Sequence, residues 1–216
     1  MLIDLTQTDK SASSKKSFAY QIGTTTLFII NTNGLSIETF EQVLPASIIN
    51  EATTRFKSPK RIIEWLAARL IVAENLGSHV MINYDAFGKP YLNDNNEKHI
   101  SISHTKNLVI MAYDLTPIGI DLEEISTKVL NVADKFLSNV EKQMLDNTES
   151  QTTKATELWC CKEAIYKLVN IKNLSIKDGI SLCQVENNLY FEETHHASIQ
   201  VFQIETYILA LAKFMP

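Results

Sequence analysis

Three strand segments follow one another in the middle of the chain and constrain its fold more than any other feature. Ile100–Ser103, Leu108–Tyr113 and Ile118–Glu123 are rich in β-branched residues, and the turn Asp114–Pro117 separates the last two. Residues of this kind pack well on a pleated surface and favour strands. A sheet is therefore predicted in the middle of the chain.

Helices are predicted on both sides of this sheet. Apolar residues recur at helical spacing within Lys60–Ala73, with Pro59 before this segment and Gly77 beyond its end. A proline at the start and a glycine just past the end are typical helix boundaries. The same spacing marks Asn131–Leu145 and Thr156–Val169, which are predicted as two further helices.

Strand segments also lie towards both ends of the chain. Thr24–Asn31 is β-branched and aromatic and is followed by Asn33-Gly34, a typical turn sequence. Three segments near the C-terminus have the pattern of a β-meander, namely Leu189–Glu192, Ser198–Gln203 and Thr206–Ala212. The order strand, helix, strands occurs once before about Pro117 and once after it, so the predicted fold class is α+β.

Composition excludes several classes of function. The net charge of -5 argues against binding of the whole protein to nucleic acid or to an anionic membrane. The longest apolar stretches are too short to span a bilayer, and the N-terminus lacks the pattern of a secretory signal. The three cysteines, two of them adjacent, form no disulfide framework. We expect a cytoplasmic protein.

Two carboxylates project from one face of the segment Ile118–Glu123. Alternation places its apolar residues on one face and Asp121 with Glu123 on the other. Their Cα atoms lie roughly 6.5 to 7 Å apart, because a strand rises about 3.3 Å per residue. Such a pair suits Mg²⁺, and Mn²⁺ has similar ligand preferences. The alternative is an ordinary solvated strand face beside a buried one.

The helix Thr156–Val169 carries a second group of candidates. Glu163 and Lys167 fall away from its apolar stripe. An acid and a base four residues apart commonly lie on the exposed face of a helix and stabilise it by roughly 0.2 to 0.5 kcal/mol, so an ordinary exposed pair is the alternative. Trp159 and Tyr166, however, form a second apolar edge near Glu163. This edge favours a helix that is covered on both sides.

The segment Ile100–Thr105 places Ser103 and His104 at the end of a strand. A histidine there can hold a phosphate. Hydrolysis by a serine nucleophile would be the alternative, but the Gly-x-Ser-x-Gly turn of a nucleophile elbow is absent from the sequence. Adjacency of a serine and a histidine in sequence does not make a catalytic triad either.

Four motifs occur in a fixed order along the chain. They are GKP at Gly88–Pro90, SISHT at Ser101–Thr105, GIDLE at Gly119–Glu123 and WCCKEAIYK at Trp159–Lys167. In this order and with these gaps they resemble the 4'-phosphopantetheinyl transferase superfamily, specifically its larger surfactin-synthetase-activating type. The resemblance implies Mg²⁺-dependent transfer of phosphopantetheine from coenzyme A, the co-substrate, to a serine of an apo acyl or peptidyl carrier protein, with release of adenosine 3',5'-bisphosphate.

The resemblance also implies an architecture. Members of this type have two similar α/β halves related by a pseudo-twofold axis, bind coenzyme A between them and are monomers. Here residues 1–116 would form the N-terminal half with the nucleotide contacts. Residues 117–216 would form the C-terminal half with the metal-binding carboxylates and the catalytic helix.

Site residues follow from the resemblance, motif by motif. Asp121, Glu123 and Glu163 correspond to the metal ligands, and Glu163 also corresponds to the base that takes the proton of the carrier serine. Lys167 would contact the pyrophosphate, so that Glu163, Lys167 and Asp121 are the implied catalytic residues. Lys162, the other lysine of the motif, would lie beside the phosphates.

The nucleotide contacts are expected from the first half. The resemblance assigns them to Lys89 and Pro90 of the GKP motif and to Ser103 with His104. Among the basic residues at positions 55–69, Arg61 and Arg69 are the preferred phosphate contacts, although a solvated helix face is an alternative for the lysines there. The rival functional hypothesis is a catalytically inactive module that binds coenzyme A or docks on carrier proteins, for which Glu163 would be dispensable.

Overall fold

The computed structural model describes residues 15–94, 97–146, 148–185, 188–192 and 197–215. The N-terminal residues 1–14, which were predicted not to form a secretory signal, lie outside this part. The chain divides into two compact units, Met1–Leu115 and Thr116–Pro216. Each unit contains an antiparallel sheet and a long helix that packs on it, which confirms the α+β class.

The first unit is built on a four-stranded sheet. In chain order its elements are β1 (Ser17–Ile22), β2 (Thr25–Asn31), α1 (Ile37–Glu41), α2 (Ala46–Arg55), α3 (Pro59–Asn75), β3 (Ile82–Tyr84), β4 (Pro90–Leu92), β5 (His99–Thr105) and β6 (Leu108–Asp114). The strand order is β1-β2-β6-β5 with every pair antiparallel, and β3 pairs with β4 separately.

Helix α3 holds the core of this unit together. It begins with Pro59 at its first turn and ends before Gly77, whose φ of +115° is a left-handed conformation that favours glycine, so both predicted boundaries are confirmed. Leu66 and Leu70 are fully buried in one cluster with Ile30 of β2. Burial stabilises each of these side chains by about 1.5 to 3 kcal/mol.

The second unit is built on a five-stranded sheet. Its elements are β7 (Ile118–Glu124), a 3₁₀ helix (Thr127–Val132), α4 (Ala133–Phe136), α5 (Asn139–Asp146), α6 (Gln151–Val169), β8 (Ser181–Val185), β9 (Asn188–Glu192), β10 (Ala197–Ile204) and β11 (Tyr207–Phe214). The strand order is β7-β11-β10-β9-β8, again antiparallel throughout. The predicted C-terminal meander is confirmed as β9 to β11.

The prediction of a single sheet in the middle of the chain was wrong in one respect. Strands β5 and β6 belong to the first sheet, whereas β7 belongs to the second. A strand has two hydrogen-bonding edges, and both edges of β6 are occupied, by β2 and by β5. Strand β7 instead pairs with β11, where Asp121 lies opposite Ala210.

The single helix predicted over Asn131–Leu145 was also wrong, because α4 and α5 are separate. The chain leaves the helical conformation at Leu137, whose ψ is 134°. Ser138 and Glu141 then form a capping box: the Glu141 N–H donates to Ser138 Oγ at 3.2 Å, and the Ser138 N–H donates to Glu141 Oε2 at 2.8 Å. The Ser-x-x-Glu pattern that marks this helix start is present in the sequence.

The elements missed by the sequence patterns include β1, α2, β4 and β8. Helix α6 is longer than predicted and begins at Gln151, where Ser150 Oγ accepts the backbone N–H of Thr153. Within the described ranges, none of the helices combines the length and the hydropathy needed to cross a membrane.

Candidate functional site

Strand β7 carries Asp121 and Glu123 into a covered environment. The residues on its apolar face are fully buried, and Asp121 on the other face is only 4% exposed. The alternative of a solvated strand face is therefore wrong, because helix α6 packs over the carboxylate side. A carboxylate that is buried in this way requires a cationic or hydrogen-bonding partner.

Gly119 allows α6 to approach β7 closely. A Cβ atom at this position would lie 1.9 Å from the backbone oxygen of Ala164 and 2.7 Å from the backbone nitrogen of Leu168. No side chain fits at that distance. The helix backbone thus rests directly on the strand next to the two carboxylates, in the turn that carries Glu163 and Lys167.

Lys167 reaches across this contact to the strand. Its Nζ donates to Asp121 Oδ1 at 2.7 Å and to the carbonyl oxygen of Ile120 at 3.1 Å. The lysine therefore does not serve as an exposed helical partner of Glu163. It supplies the positive charge that compensates buried Asp121.

Trp159 holds the second carboxylate of β7. Its indole Nε1–H donates to Glu123 Oε1 at 3.0 Å, and its ring packs edge-on against Phe136 with the centroids 4.9 Å apart. Since α6 presents Trp159 one turn before Glu163, the same helix contacts Glu123 and carries the third acidic residue.

The three acidic side chains influence one another electrostatically. Burial raises the pKa of Glu123 to about 7, with the charge of Asp121 next in importance, while the Trp159 hydrogen bond and Lys167 oppose the shift. Burial and the charge of Asp121 also raise the pKa of Glu163, which Lys167 opposes. This concentration of negative charge is the environment that a bound cation would relieve.

The donor set suits a hard divalent cation. Mg²⁺ binds through one or two carboxylates and keeps several waters or substrate oxygens, and Asp121, Glu123 and Glu163 offer this chemistry. In the part of the chain that is described, no group of three or more His, Cys, Asp or Glu side chains is arranged so that it could hold a metal ion. The Lys167 ammonium stands in for the cation at Asp121, so these residues fit Mg²⁺ once that ammonium moves aside.

Lys162 does not belong to this site, which corrects the expectation that it lies beside the phosphates. Its side chain is 0% exposed, and its Nζ pairs with Glu141 Oε2 at 2.7 Å. The same nitrogen donates to the backbone oxygens of Phe136 and Ile176 at 2.8 and 3.1 Å. All its hydrogen-bonding capacity is used inside the second unit, so no donor remains for a substrate phosphate.

The first unit brings Arg61 and His104 together as candidate anion contacts. Arg61 Nη1 donates to His104 Nε2 at 2.6 Å and to Glu64 Oε2 at 3.2 Å. Both side chains are exposed, whereas Glu64 beneath them is buried. An exposed arginine and histidine held by one buried carboxylate form a surface that can accept a phosphate.

Arg69 is not part of that surface, which corrects its assignment as a phosphate contact. The side chain is 7% exposed, its guanidinium lies 3.0 Å from the centroid of the Trp65 ring, and its Nη1 donates to the Trp65 carbonyl oxygen at 3.1 Å. Burial lowers its pKa, and the nearby Tyr84 opposes that shift. The side chain folds along α3 into the core and cannot reach a surface phosphate.

The remaining nucleotide candidates lie on a turn and on β5. The Lys89 N–H donates to Asp85 Oδ1 at 2.9 Å, and Gly88 between them has φ of +87°, so a defined turn presents Lys89 and leads into Pro90 of β4. Ser103 is buried, whereas the adjacent His104 is exposed. Their contacts with a nucleotide stay predictions.

Sequence patterns missed two carboxylates that organise these clusters. Glu64 lies three residues after Arg61 on α3, a spacing that places the two side chains on one face of a helix. Glu141 is the last residue of the Ser-x-x-Glu capping box. Both signals are local, but neither indicates the distant partners, His104 and Lys162.

Comparison with known proteins shows that part of the chain is similar to one family. Residues 117–212 match the model of the 4'-phosphopantetheinyl transferase superfamily. The chain is 35% identical over 92 residues to the 4'-phosphopantetheinyl transferase Sfp of Bacillus subtilis (strain 168), a match that covers 42% of this chain and 41% of that protein. It is 27% identical over 128 residues to the 4'-phosphopantetheinyl transferase gsp of Aneurinibacillus migulanus, covering 55% and 53%.

A solved structure that resembles part of the chain is the crystal structure of Thermotoga maritima holo-[acyl-carrier-protein] synthase (AcpS). It matches with a TM-score of 0.41 and 16% identity over 46% of this chain and 62% of that one. The chain spans about half the length of the curated relatives it matches. The family model covers the strand and the helix that carry Asp121, Glu123 and Glu163, so this part of the chain is similar to the 4'-phosphopantetheinyl transferase superfamily, its Sfp-like members included.

Proposed function

We propose that this protein transfers the 4'-phosphopantetheine group of coenzyme A to a serine of an apo acyl or peptidyl carrier protein, in a Mg²⁺-dependent reaction. The observation that carries the proposal is the acidic environment of Glu123 on β7, whose pKa is raised by burial and by the charges of Asp121 on the same strand and Glu163 on α6. The match of residues 117–212 to the superfamily model supports the same conclusion.

The reaction is a phosphoryl-type transfer with a simple balance. The serine oxygen forms a bond to the phosphorus that carries pantetheine, and the bond from this phosphorus to the oxygen of the adenosine-linked phosphate breaks. Adenosine 3',5'-bisphosphate leaves with the electron pair, and the serine proton passes to a base. Positioning and electrostatics supply most of the rate acceleration in such transfers.

The residues of the second unit divide this work. Asp121, Glu123 and Glu163 would hold the ion, which neutralises charge on the pyrophosphate when bound; Mn²⁺ can replace Mg²⁺ at oxygen ligands. Glu163 accepts the serine proton, a role that suits a carboxylate whose pKa is raised by burial. Lys167, once released from Asp121, contacts the pyrophosphate and stabilises the leaving group.

The first unit contributes the nucleotide contacts in this proposal. Arg61 and His104 bind phosphate at the exposed surface above Glu64, and Lys89, Pro90 and Ser103 contact the rest of the nucleotide. Residues 1–116 thus bind coenzyme A, and residues 117–216 carry the metal ligands and the catalytic helix. We expect a cytoplasmic monomer whose partners are coenzyme A and a carrier protein.

Mass spectrometry of a carrier protein tests the proposal directly. An apo acyl carrier protein is incubated with the protein, coenzyme A and Mg²⁺, and a gain of about 340 Da per carrier marks the covalently attached arm. The Glu163→Gln variant should abolish this gain. Glu149→Gln makes the same chemical change at an exposed residue and should retain it.

The rival hypothesis predicts a different pattern. A catalytically inactive module would bind coenzyme A or an apo carrier protein, would modify no carrier, and would bind its partner equally well with Glu163→Gln. Calorimetric titration with coenzyme A and with the apo carrier separates these cases. Binding without any mass gain across several unrelated carriers would overturn the proposed transfer.

A further inference from the structure

We propose that Glu141 and Lys162, together with Phe136 and Trp159, form a positioning network that orients the Glu123 carboxylate for metal binding. The inference rests on the proposed function for its consequence, since Glu123 is a proposed metal ligand. Its structural basis is independent of that function. It assigns a task to a buried lysine that contacts none of the proposed substrate-binding residues.

The network begins with an ion pair that is closed to solvent. Lys162 and Glu141 are 0% and 1% exposed, and Lys162 Nζ lies 2.7 Å from Glu141 Oε2. Glu141 also accepts the backbone N–H of Ser138 at 2.8 Å and that of Leu182 at 3.0 Å. The carboxylate therefore ties the start of α5 and strand β8 to the middle of α6.

The ammonium of Lys162 also connects the ion pair to α4. It donates to the carbonyl oxygen of Phe136, the last residue of α4, at 2.8 Å. The Phe136 ring is buried and packs edge-on against Trp159, with an interplanar angle of 62°. The position of the ring is thus set by a backbone atom that Lys162 holds.

Trp159 completes the connection to the acidic site. Its Nε1–H donates to Glu123 Oε1 at 3.0 Å, so the indole cannot rotate without losing that bond. Trp159 and Lys162 lie three residues apart on α6, and both contact Phe136. Phe136 therefore connects Lys162 to Trp159, and Trp159 in turn contacts Glu123.

Stability alone does not account for the ion pair. Apolar residues of similar volume often replace a buried ion pair without loss of stability. Loss of the groups that orient a metal-binding side chain, by contrast, weakens metal binding. Partners behind a metal ligand typically contribute 10 to about 100-fold in metal affinity, and the Trp159 indole, which donates to Glu123 Oε1, is such a partner.

The main test uses the double variant Lys162→Met/Glu141→Gln, which leaves no buried charge unpaired. Mn²⁺ is titrated into the full chain without coenzyme A or carrier and followed by electron paramagnetic resonance. We expect the Mn²⁺ dissociation constant to rise by about 10 to 100-fold. The matched control is Lys154→Met/Glu157→Gln, because that pair has the same 2.7 Å distance on the same helix but remains partly exposed. It should leave the Mn²⁺ affinity unchanged.

A second readout reports the positioning without any metal. The described indoles are those of Trp65 and Trp159, and NMR of ¹⁵N-labelled indole groups follows the Trp159 N–H directly. In the double variant its exchange with solvent should accelerate at least about tenfold as the bond to Glu123 weakens. The Trp65 signal should not change, because Trp65 lies in the other unit.

Phe136→Leu keeps the ion pair and removes only the ring, and it should change both readouts in the same direction. This variant carries the test if the double variant does not fold. A folded double variant with wild-type Mn²⁺ affinity and wild-type indole exchange would overturn the inference. Loss of indole protection in a protein that proves to have no transferase activity would instead refute the proposed function and leave the positioning network standing.

Discussion

The ammonium nitrogen of Lys167 lies 2.7 Å from Oδ1 of Asp121, and this ion pair joins α6 to β7 at the centre of the acidic cluster. The pair explains how a buried aspartate is tolerated before any cation binds. In the proposed function, Lys167 and a divalent cation compete for this carboxylate. In the proposed reaction, metal binding releases the lysine to act on the pyrophosphate.

Replacement of Lys167 should therefore have opposite effects on metal binding and on catalysis. In Lys167→Met, Asp121 loses its competing ammonium, so Mg²⁺ should raise the melting temperature more than it does in the wild type. Transfer should fall about 10² to 10³-fold, the usual cost of removing one donor that stabilises developing charge. Differential scanning fluorimetry and kcat/KM measure the two effects. Lys172→Met, at an exposed position, should change neither, and equal Mg²⁺ stabilisation in both variants would refute the competition.

Gly119→Ala should destabilise the second unit. The added methyl group would lie 1.9 Å from the Ala164 carbonyl oxygen, so α6 must move away from β7. Overpacking of this kind typically costs 1 to about 3 kcal/mol in the free energy of unfolding, which urea denaturation measures.

Mn²⁺ affinity should fall in the same Gly119→Ala variant, because Glu163 moves with the helix. The control is Gly34→Ala, which is strained by its φ of +72° but meets no neighbouring atom. It should be destabilised without any loss of Mn²⁺ affinity. An unperturbed Mn²⁺ dissociation constant in Gly119→Ala would show that the close approach of α6 is unimportant for the site.

Glu64→Gln should weaken the binding of coenzyme A without slowing the chemical step. The buried carboxylate holds Arg61 through a 3.2 Å hydrogen bond and lies 3.5 Å from His104 Nδ1. Loss of its charge frees both side chains, so they bind the phosphate less well. An interaction that is equally strong in the ground state and the transition state affects KM and leaves kcat unchanged.

We expect KM for coenzyme A to rise roughly 3 to 10-fold in Glu64→Gln, since a charged hydrogen bond contributes about 1 kcal/mol. Steady-state kinetics at varied coenzyme A concentration measure it. Glu51→Gln, which removes an exposed partner of Arg55, should have the wild-type KM. A fall in kcat with constant KM would place Glu64 in a different role.

The two adjacent cysteines should be unreactive in the native protein. Burial, and next the charge of Asp121, raises the pKa of Cys160; burial, and next the charge of Glu157, raises that of Cys161. A raised pKa keeps a thiol protonated as the pH rises, and only the thiolate is nucleophilic.

At pH 8, iodoacetamide should therefore leave Cys160 and Cys161 unlabelled in the native state and modify both in urea. Cys183, which is partly exposed, serves as the internal reference and should react first. Peptide mass spectrometry gives the extent at each residue. Native labelling of Cys160 at the rate of Cys183 would contradict the close contact between α6 and β7.

Local patterns in the sequence were sufficient for the elements that carry the candidate site. Alternation in Ile118–Glu123 and helical spacing in Thr156–Val169 identified β7 and α6, because both periods arise from backbone geometry over a few residues. The same patterns did not separate β7 from the sheet of β5 and β6. Pairing depends on which strand edges are already occupied, and β11 lies far along the chain.

The roles of individual basic residues required the tertiary structure. Lys162 and Lys167 belong to one motif, yet they project about 140° apart on the helix. Lys162 pairs with the carboxylate of Glu141, whereas Lys167 pairs with that of Asp121. Arg61 and Arg69 are equally basic in sequence, but Arg69 folds onto the Trp65 ring and Arg61 stays exposed beside His104.

The sequence by itself thus determined the fold class and the places of the acidic residues on β7 and α6, since these depend on residue type and short-range spacing. Only the tertiary structure decided which basic side chains lie beside those carboxylates and which are buried in a core. The physical reason is that a long basic side chain becomes buried only where a distant carboxylate, carbonyl group or aromatic ring compensates its charge. Lys162 finds that compensation at Glu141, and Lys167 finds it at Asp121.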